Sequence, residues 1–181
     1  ANTYTGGTRI QAGSLEITPG ASLGTGDIVV SNALLHGYID NPTLYVDHGV
    51  SLSNRITLAD DSVLDNAGSI GGNVDVGVYG SDAYVRTDPT VRNHDGGTIK
   101  GNHAGIFFAG SPGTISNTSG GLVEGGDVGI DLTWTTQVGN DGAGTIIRSP
   151  TGIAIRAAQS SVVVRNTNGG SILGGAGAIE F

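Results

Sequence analysis

The sequence of 181 residues contains no cysteine and no methionine, and the residues that favour surface helices are scarce. Lysine occurs once, and glutamate and glutamine occur three times each. A helical bundle and most α/β folds are therefore excluded, because those residue types usually fill exposed helix positions. The lack of cysteine excludes a disulfide framework, and without an initiator methionine we expect a mature segment of a longer chain.

Positive charge is also scarce, since eight Lys and Arg side chains stand against sixteen Asp and Glu side chains, a net charge of −8. Such an acidic chain repels phosphate backbones and anionic lipid, so we expect no nucleic-acid partner. No run approaches the ~18 consecutive apolar residues of a membrane span, and we expect no direct insertion of this segment into a membrane. The first residues also lack the basic and apolar regions of a signal peptide.

Glycine, in contrast, is abundant, with 33 of the 181 residues. The glycines do not follow a Gly-X-Y period, and aliphatic residues are spread along the whole chain. Neither a collagen helix nor a wholly disordered chain fits this pattern. The composition favours an elongated all-β protein.

Four units in the second half of the chain share one pattern. Their asparagines are 24, 23 and 26 residues apart, at Asn93, Asn117, Asn140 and Asn166. An aliphatic residue follows each asparagine after six residues, at Ile99, Val123, Ile146 and Ile172. Seven residues later comes an isoleucine, at Ile106, Ile130, Ile153 and Ile179. Each unit predicts three short strands joined by glycine and asparagine turns, near 91–93, 98–100 and 106–108 in the first unit.

A unit of about 23 residues cannot bury its own apolar face, so the units must stack with their strands paired in parallel. We predict an all-β, single-stranded parallel β-helix of roughly eight coils in which the asparagines stack on one another. We expect one solenoid over residues 1–181, with less regular coils over 1–87 and four regular coils over 88–181. Asn66 and Ile70 look like a shortened copy of the later unit. Over residues 36–49 we expect a protruding loop or an irregular coil.

Alternation along each unit assigns side chains to faces, because residues two apart on a strand point the same way. In the last strand it predicts two inward columns and one outward column between them. The outward column comprises Phe107, Asp131, Ala154 and Glu180. Lys100 and Glu124 share another outward column in adjacent coils, which predicts an ion pair between them.

Residues 2–17 read NTYTGGTRIQAGSLEI. They resemble the autotransporter-associated β-strand repeat, whose pattern is matched by Tyr4, Thr5, Gly6, Gly7, Thr8, Ile10, Ala12, Gly13 and Leu15. The match continues through GASLGTGDIVV, from Gly20 to Val30. The later NxGGxIxG…GI units are similar to the tandem units of large autotransporter passengers and haemagglutinin-like adhesins.

This resemblance implies a right-handed parallel β-helix exported by a Gram-negative bacterium through type V secretion. The expected location is the bacterial cell surface or the exterior, with a role in virulence. The family's outer-membrane barrel would lie in a C-terminal part of the complete protein. Two features of composition agree with export, since a chain without disulfides threads a pore readily and acidity limits self-association.

Candidate catalytic and metal-binding groups are few. Asp60 and Asp61 form the obvious carboxylate pair, but adjacent strand residues point to opposite faces, and a turn pair is the better interpretation. Asp131 and Glu180 are two coils apart with no basic residue in their predicted column, which indicates a solvated face. The histidines, His36, His48, His94 and His103, fit surface positions, and Gly125–Asp131 misses a calcium-binding spacing by one residue. We expect no catalytic residue, cofactor or metal.

Two aromatic residues are the candidate binding residues, since exposed aromatics anchor proteins or stack on sugars. Phe107 points outward by the alternation, and Trp134 lies in a variable connection between units. The alternative for Trp134 is that its side chain folds over the end of its own coil.

We expect an adhesin or adhesive stalk that binds a host extracellular-matrix protein, a glycan or itself through its lateral surface. One alternative is a scaffold that supports secretion and folding of the passenger while binding lies elsewhere. A lower-ranked alternative is a β-helix enzyme acting on polysaccharide or peptide, because fold alone does not fix function.

Overall fold

The computed structural model describes residues 2–32, 41–77, 88–109, 112–134, 136–158 and 161–181. Every regular element in these ranges is a β-strand, and the strands form three parallel sheets of eight, seven and six strands. We name them sheet A, sheet B and sheet C in that order. The chain passes from sheet B to sheet C to sheet A and then returns to sheet B, which makes the protein a parallel β-solenoid.

The strands follow one another coil by coil. An incomplete first coil contains β1 (Thr8–Ile10), β2 (Ser14–Ile17) and β3 (Ile28–Ser31). The next three coils contain β4 (Thr43–Val46), β5 (Ser51–Leu52), β6 (Ile56–Ala59), β7 (Val63–Asn66), β8 (Ser69–Ile70), β9 (Val74–Gly77), β10 (Thr90–Asn93), β11 (Thr98–Gly101) and β12 (Ala104–Ala109). The last three contain β13 (Gly113–Thr118), β14 (Leu122–Gly125), β15 (Val128–Leu132), β16 (Thr136–Asp141), β17 (Ile146–Ser149), β18 (Ile153–Ala157), β19 (Val163–Thr167), β20 (Ser171–Gly174) and β21 (Gly177–Glu180).

The predicted all-β solenoid is confirmed, but the predicted number of coils is wrong. The structure has about six turns, because six coils contribute a strand to each of the three sheets. The part before Thr43 contributes β1, β2 and β3, none of which belongs to sheet C. Dividing the chain length by a constant 23 residues therefore overestimated the number of coils.

The core is a set of stacked aliphatic columns, one or two from each sheet. One column of sheet B, for example, contains Leu44, Leu64, Val91, Ile115 and Val138, all at most 1% exposed. Each such side chain, removed from water by the coils above and below, stabilises the stack by roughly 1.5–3 kcal/mol. The coils thus supply to one another the burial that a single unit lacks.

The asparagines form a continuous ladder at the end of the sheet B strands, as predicted. In each step Nδ2 of one asparagine donates to Oδ1 of the next, and the distances are 2.7, 2.7, 2.9 and 2.8 Å. The five members are Asn66, Asn93, Asn117, Asn140 and Asn166. Their amides also donate to backbone carbonyls of the turns into sheet C, so the ladder satisfies polar groups that the turns bury.

The third repeat unit departs from the constant spacing. Ile147 pairs with Val123 and Ile172, so Ile146 does not belong to that inward column. Similarly, Ile155 pairs with Ile130 and Ile179, and Ala154 is fully buried. The unit has one extra residue in the turn after β16 and another after β17, which together shift the predicted columns.

The first half of the chain contains regular strands. Asn66 and Ile70 lie in register with Asn93 and Ile99, which confirms the shortened copy of the unit. In the segment 36–49, where we expect a protruding loop or an irregular coil, Thr43–Val46 is a strand that pairs with both β2 and β7. Residues 36–40 of that segment lie outside the described residues.

Candidate functional site

The connections from sheet A to sheet B vary most in length along the solenoid. Three residues, 60–62, separate β6 from β7, and twelve residues, 78–89, separate β9 from β10, of which 78–87 lie outside the described residues. In the six complete coils the connections at the other two corners have two to four residues, for example residues 102–103 after β11 and 119–121 after β13. Solenoids accommodate insertions on one face without disturbing their core, and such faces often bind ligands. The corner between sheets A and B is therefore a candidate binding region.

Trp134 lies at this corner, in the connection between β15 and β16. Its side chain is 47% exposed, so about half of the indole remains open to solvent. The hydroxyl of Thr136 donates to the Trp134 carbonyl oxygen at 3.1 Å, which fixes the backbone next to the indole. An exposed indole can pack on the apolar face of a sugar or a protein side chain.

Phe107 lies on the outer face of sheet A, where the alternation places it. It is half-buried and pairs in register with Asp75 of β9 and Asp131 of β15. Two acidic residues thus flank the ring along its column. Phe107 and Trp134 lie on different parts of the surface, one on a sheet face and the other at a corner.

The predicted outward column of sheet A contains a basic residue that the sequence reasoning missed. Arg156, and not Ala154, lies between Asp131 and Glu180. Its Nε donates to Asp131 Oδ1 at 3.0 Å and its Nη2 to Asp131 Oδ2 at 2.5 Å. The hydrogen bond that the guanidinium donates to Asp131 raises the pKa of Arg156. Asp131 is only 6% exposed, so the expectation that it lies on a solvated face is wrong.

The predicted ion pair on sheet C is confirmed and is part of a longer row. Lys100 Nζ lies 3.7 Å from Glu124 Oε1. Arg148 of the next coil donates through Nε to Glu124 Oε2, so one carboxylate holds a cation above and a cation below. Such half-exposed pairs contribute a few tenths of a kcal/mol each, and the row connects three coils.

Asp60 and Asp61 form a turn pair, as expected from their adjacency. Both have positive φ, of 54° and 52°, in the connection between β6 and β7. Burial, followed by the charge of Asp61, raises the pKa of the Asp60 carboxyl. Asp61 Oδ1 accepts a hydrogen bond from the backbone N–H of Asp88 at 3.0 Å, so it joins this turn to the next coil.

Two histidines connect neighbouring coils. His94 Nε2 lies 2.6 Å from Asp65 Oδ1 and its Nδ1 lies 2.9 Å from Asp95 Oδ2. The hydrogen bond to Asp65 raises the pKa of His94, against an opposing effect of burial. His103 Nδ1 lies 2.6 Å from Asp127 Oδ2. His48 is exposed, and His36 lies outside the described residues. Within the described ranges, no group of three or more His, Cys, Asp and Glu residues could hold a metal ion.

The outer face of sheet B has a depression that the sequence reasoning did not identify. It lies over β13, β16 and β19 and includes Gly139 and Val163 in its lining, and its polar side chains are Thr114, Ser116, Gln137 and Arg165. The sequence shows that position 139 is a glycine and so has no side chain. Its importance depends on the register that places Ser116 and Arg165 on either side of it.

In the described part of the chain, no helix is long and apolar enough to cross a membrane. Comparison with protein-family models, with curated proteins and with solved structures gives no match to this chain. The site must therefore be interpreted from its own geometry.

Proposed function

We propose that this chain is a non-enzymatic segment of an autotransporter-type passenger, a right-handed β-helix displayed at the bacterial surface. In this proposal it acts as an adhesin or adhesive stalk through its lateral surface. The observation that carries the proposal is the half-exposed Trp134 at the corner that also carries the variable connections. The motif in residues 2–17 supports the passenger class, and its residues form β1 and β2 at the start of the stack.

The mechanism of adhesion would be multivalent. Coils about 4.8 Å apart repeat similar lateral positions, so an extended partner can make many small contacts at once. The asparagine ladder and the buried columns hold those positions rigid before binding, which reduces the conformational entropy lost on association. The partner would be a host extracellular-matrix protein, a glycan or a second copy of the chain.

Adhesion by displayed protein tests this proposal. Bacteria carrying the chain on an export vehicle are compared with bacteria carrying Trp134→Ala, with adhesion divided by the amount of protein on the surface. We expect the variant to lower adhesion per displayed molecule. The matched control is Tyr45→Ala, because Tyr45 is also half-exposed, at 40%, but lies on the face of β4. Full adhesion by bacteria that lack the whole segment would contradict the proposal.

A second candidate role is to support secretion and folding while binding lies in another part of the passenger. The uninterrupted asparagine ladder favours it, since each coil offers the next a preformed edge of hydrogen-bonding groups. Deletion of one coil, residues 113–135, distinguishes the two roles. A scaffold role predicts a fall in surface display with unchanged binding per displayed molecule, whereas an adhesive role predicts weaker binding by the molecules that are displayed.

A further inference from the structure

A groove lined by both polar and apolar residues, with Val163 among the apolar ones, runs across the outer face of sheet B. Its main part, about 190 Å³, is lined by Gly139, with Ser116 and Arg165 in register on the two neighbouring strands. A smaller depression of about 110 Å³ adjoins it, because Thr114 and Gln137 line both. Thr136, two residues after Trp134, also lines the smaller part, so the groove leads towards the corner that carries the indole.

The polar side chains of the groove are free to bind a ligand. Within the described residues, those of Ser116, Gln137 and Arg165 form neither a hydrogen bond nor an ion pair. Among the described residues of the same six coils, Arg92, Arg148 and Arg156 each contact a carboxylate. Within the described ranges, Arg165 thus presents a positive charge with no carboxylate in ion-pair contact, on a chain whose net charge is −8.

The groove lies on a sheet face, which limits the kind of ligand it can bind. Strand β16 pairs with β13 on one side and with β19 on the other, so its backbone groups are already used in the ladders. An extended peptide could not add as a further strand here. Recognition must come from side chains, and hydroxyl, amide and guanidinium groups match the hydroxyls and carboxylates of a saccharide.

The charged residues of the groove limit how many anionic groups a bound saccharide can carry. One guanidinium can pair with one carboxylate, in a charge-assisted hydrogen bond that is stronger than a neutral one. Asp88 lines the smaller depression and would repel a second anionic group placed there. The net negative charge also disfavours a densely sulfated chain. The favoured ligand therefore carries widely spaced carboxylates.

We propose that this groove binds an acidic saccharide with about one carboxylate per disaccharide. Arg165 pairs with the carboxylate, and Ser116, Gln137 and Thr114 hydrogen-bond to sugar hydroxyls. Trp134 stacks on a sugar ring at the end of the groove, in the manner usual for exposed aromatics. This inference rests on the proposed adhesive function and assigns it a site and a class of ligand.

Binding of hyaluronan oligosaccharides, measured by calorimetry on the full chain, tests the inference. Gly139→Val fills the groove, and the fold tolerates it because the nearest atom to an added Cβ is the Ile115 carbonyl oxygen, at 3.9 Å. We expect Gly139→Val and Arg165→Gln each to weaken binding at least tenfold. The matched control is Gly71→Val, outside sheet B, where the nearest atom to the Cβ is Leu52 O at 3.7 Å. It should bind as the unchanged chain does.

Dextran and heparin oligosaccharides complete the experiment, and we expect both to bind at least tenfold more weakly than hyaluronan. No hyaluronan binding, or equal binding by Gly139→Val and the unchanged chain, would overturn the inference. Either result leaves the adhesive function standing if the chain still binds a matrix protein or itself. The adhesive function fails separately, when the folded chain binds no matrix protein, glycan or second copy.

Discussion

Asn93 donates a hydrogen bond from Nδ2 to Oδ1 of Asn117, its equivalent in the next coil, at 2.7 Å. Both side chains are fully buried. Asn117 in turn donates the equivalent hydrogen bond to Oδ1 of Asn140 in the following coil. A buried amide that has its partners stabilises the fold modestly, but one that has lost a partner costs about 1–3 kcal/mol. The ladder therefore makes each coil depend on its neighbours.

Replacing the central member of the ladder should destabilise the stack. Asn117→Ala removes the acceptor of the Asn93 amide and three donated bonds, to Gly121 O, Asn140 Oδ1 and Ile146 O. We expect a loss of about 2–4 kcal/mol in the free energy of unfolding, measured by urea titration. Asn166→Ala is the matched control, because Asn166 lies at the exposed end of the ladder and should cost less. Equal losses in the two variants would show that the ladder does not act as a connected row.

Replacing Arg156 should lower the free energy of unfolding, because it leaves the buried carboxylate of Asp131 without its cation. Arg156→Met leaves Asp131, which is 6% exposed, without its two hydrogen bonds from the guanidinium. We expect a loss of about 1–3 kcal/mol, at the low end of values for buried pairs because Arg156 itself is 40% exposed. The control is Arg165→Met, which removes an arginine that has no ion-pair partner among the described residues and should leave the unfolding midpoint unchanged. An unchanged midpoint for Arg156→Met as well would contradict the role of the pair.

His94 should make stability depend on pH. Its folded pKa lies above the ordinary value of 6.5, mainly through the hydrogen bond to Asp65, so the folded state binds the proton more tightly than the unfolded state. The stabilisation is fully present below pH 6.5 and is lost as the pH rises through the folded pKa. We expect His94→Gln to lower the urea midpoint at pH 5.5 and to change it less at pH 8.5. His48→Gln, which changes an exposed histidine, should shift neither midpoint.

Gly125 should not accept a side chain. An added Cβ would lie 1.7 Å from the carbonyl oxygen of Val128, because the turn from sheet C to sheet A brings the backbone back on itself. We expect Gly125→Ala to cost roughly 2–4 kcal/mol in urea unfolding. Gly139→Ala, whose Cβ has no atom nearer than 3.9 Å, is the control and should be neutral or stabilising. A neutral Gly125→Ala would mean that the turn is looser than described.

Gly101 and Gly174, at the same turn in other coils, show the same 1.7 Å approach. In the remaining complete repeat unit Ser149 takes this position, and that turn has one more residue before its sheet A strand begins. The extra residue provides room for the side chain. Glycine therefore occupies this position where the turn is short, and serine occupies it where the turn is one residue longer.

The spacing of the asparagines was enough to predict the stacking, since a row of identical polar residues one coil apart can satisfy itself only by stacking. In the third unit the constant spacing predicts Ile146 and Ile153 at inward positions that Ile147 and Ile155 occupy. Ile146 and Ile147 are adjacent, and Ile153 and Ile155 flank Ala154, so an aliphatic residue fits the inward column in either register. The two extra turn residues were therefore hidden, and with them the pairing of Arg156 with Asp131.

The candidate site was predictable only in its aromatic part. Trp134 was identified because it lies in a connection of variable sequence. The groove around Gly139 was not, because it requires three strands from different coils in a known register. Because the chain has 33 glycines, the glycine at position 139 does not by itself indicate a groove, and its neighbours across the sheet must be known first.

One measurement tests the adhesive function most directly. The purified chain is probed at physiological salt against extracellular-matrix proteins, host glycans and itself, alongside Phe107→Ala and Trp134→Ala. We predict saturable binding to one of these classes, and weaker binding by Trp134→Ala than by the unchanged chain. No binding to any class by protein shown to be folded would contradict the adhesive function and would favour the role in secretion and folding.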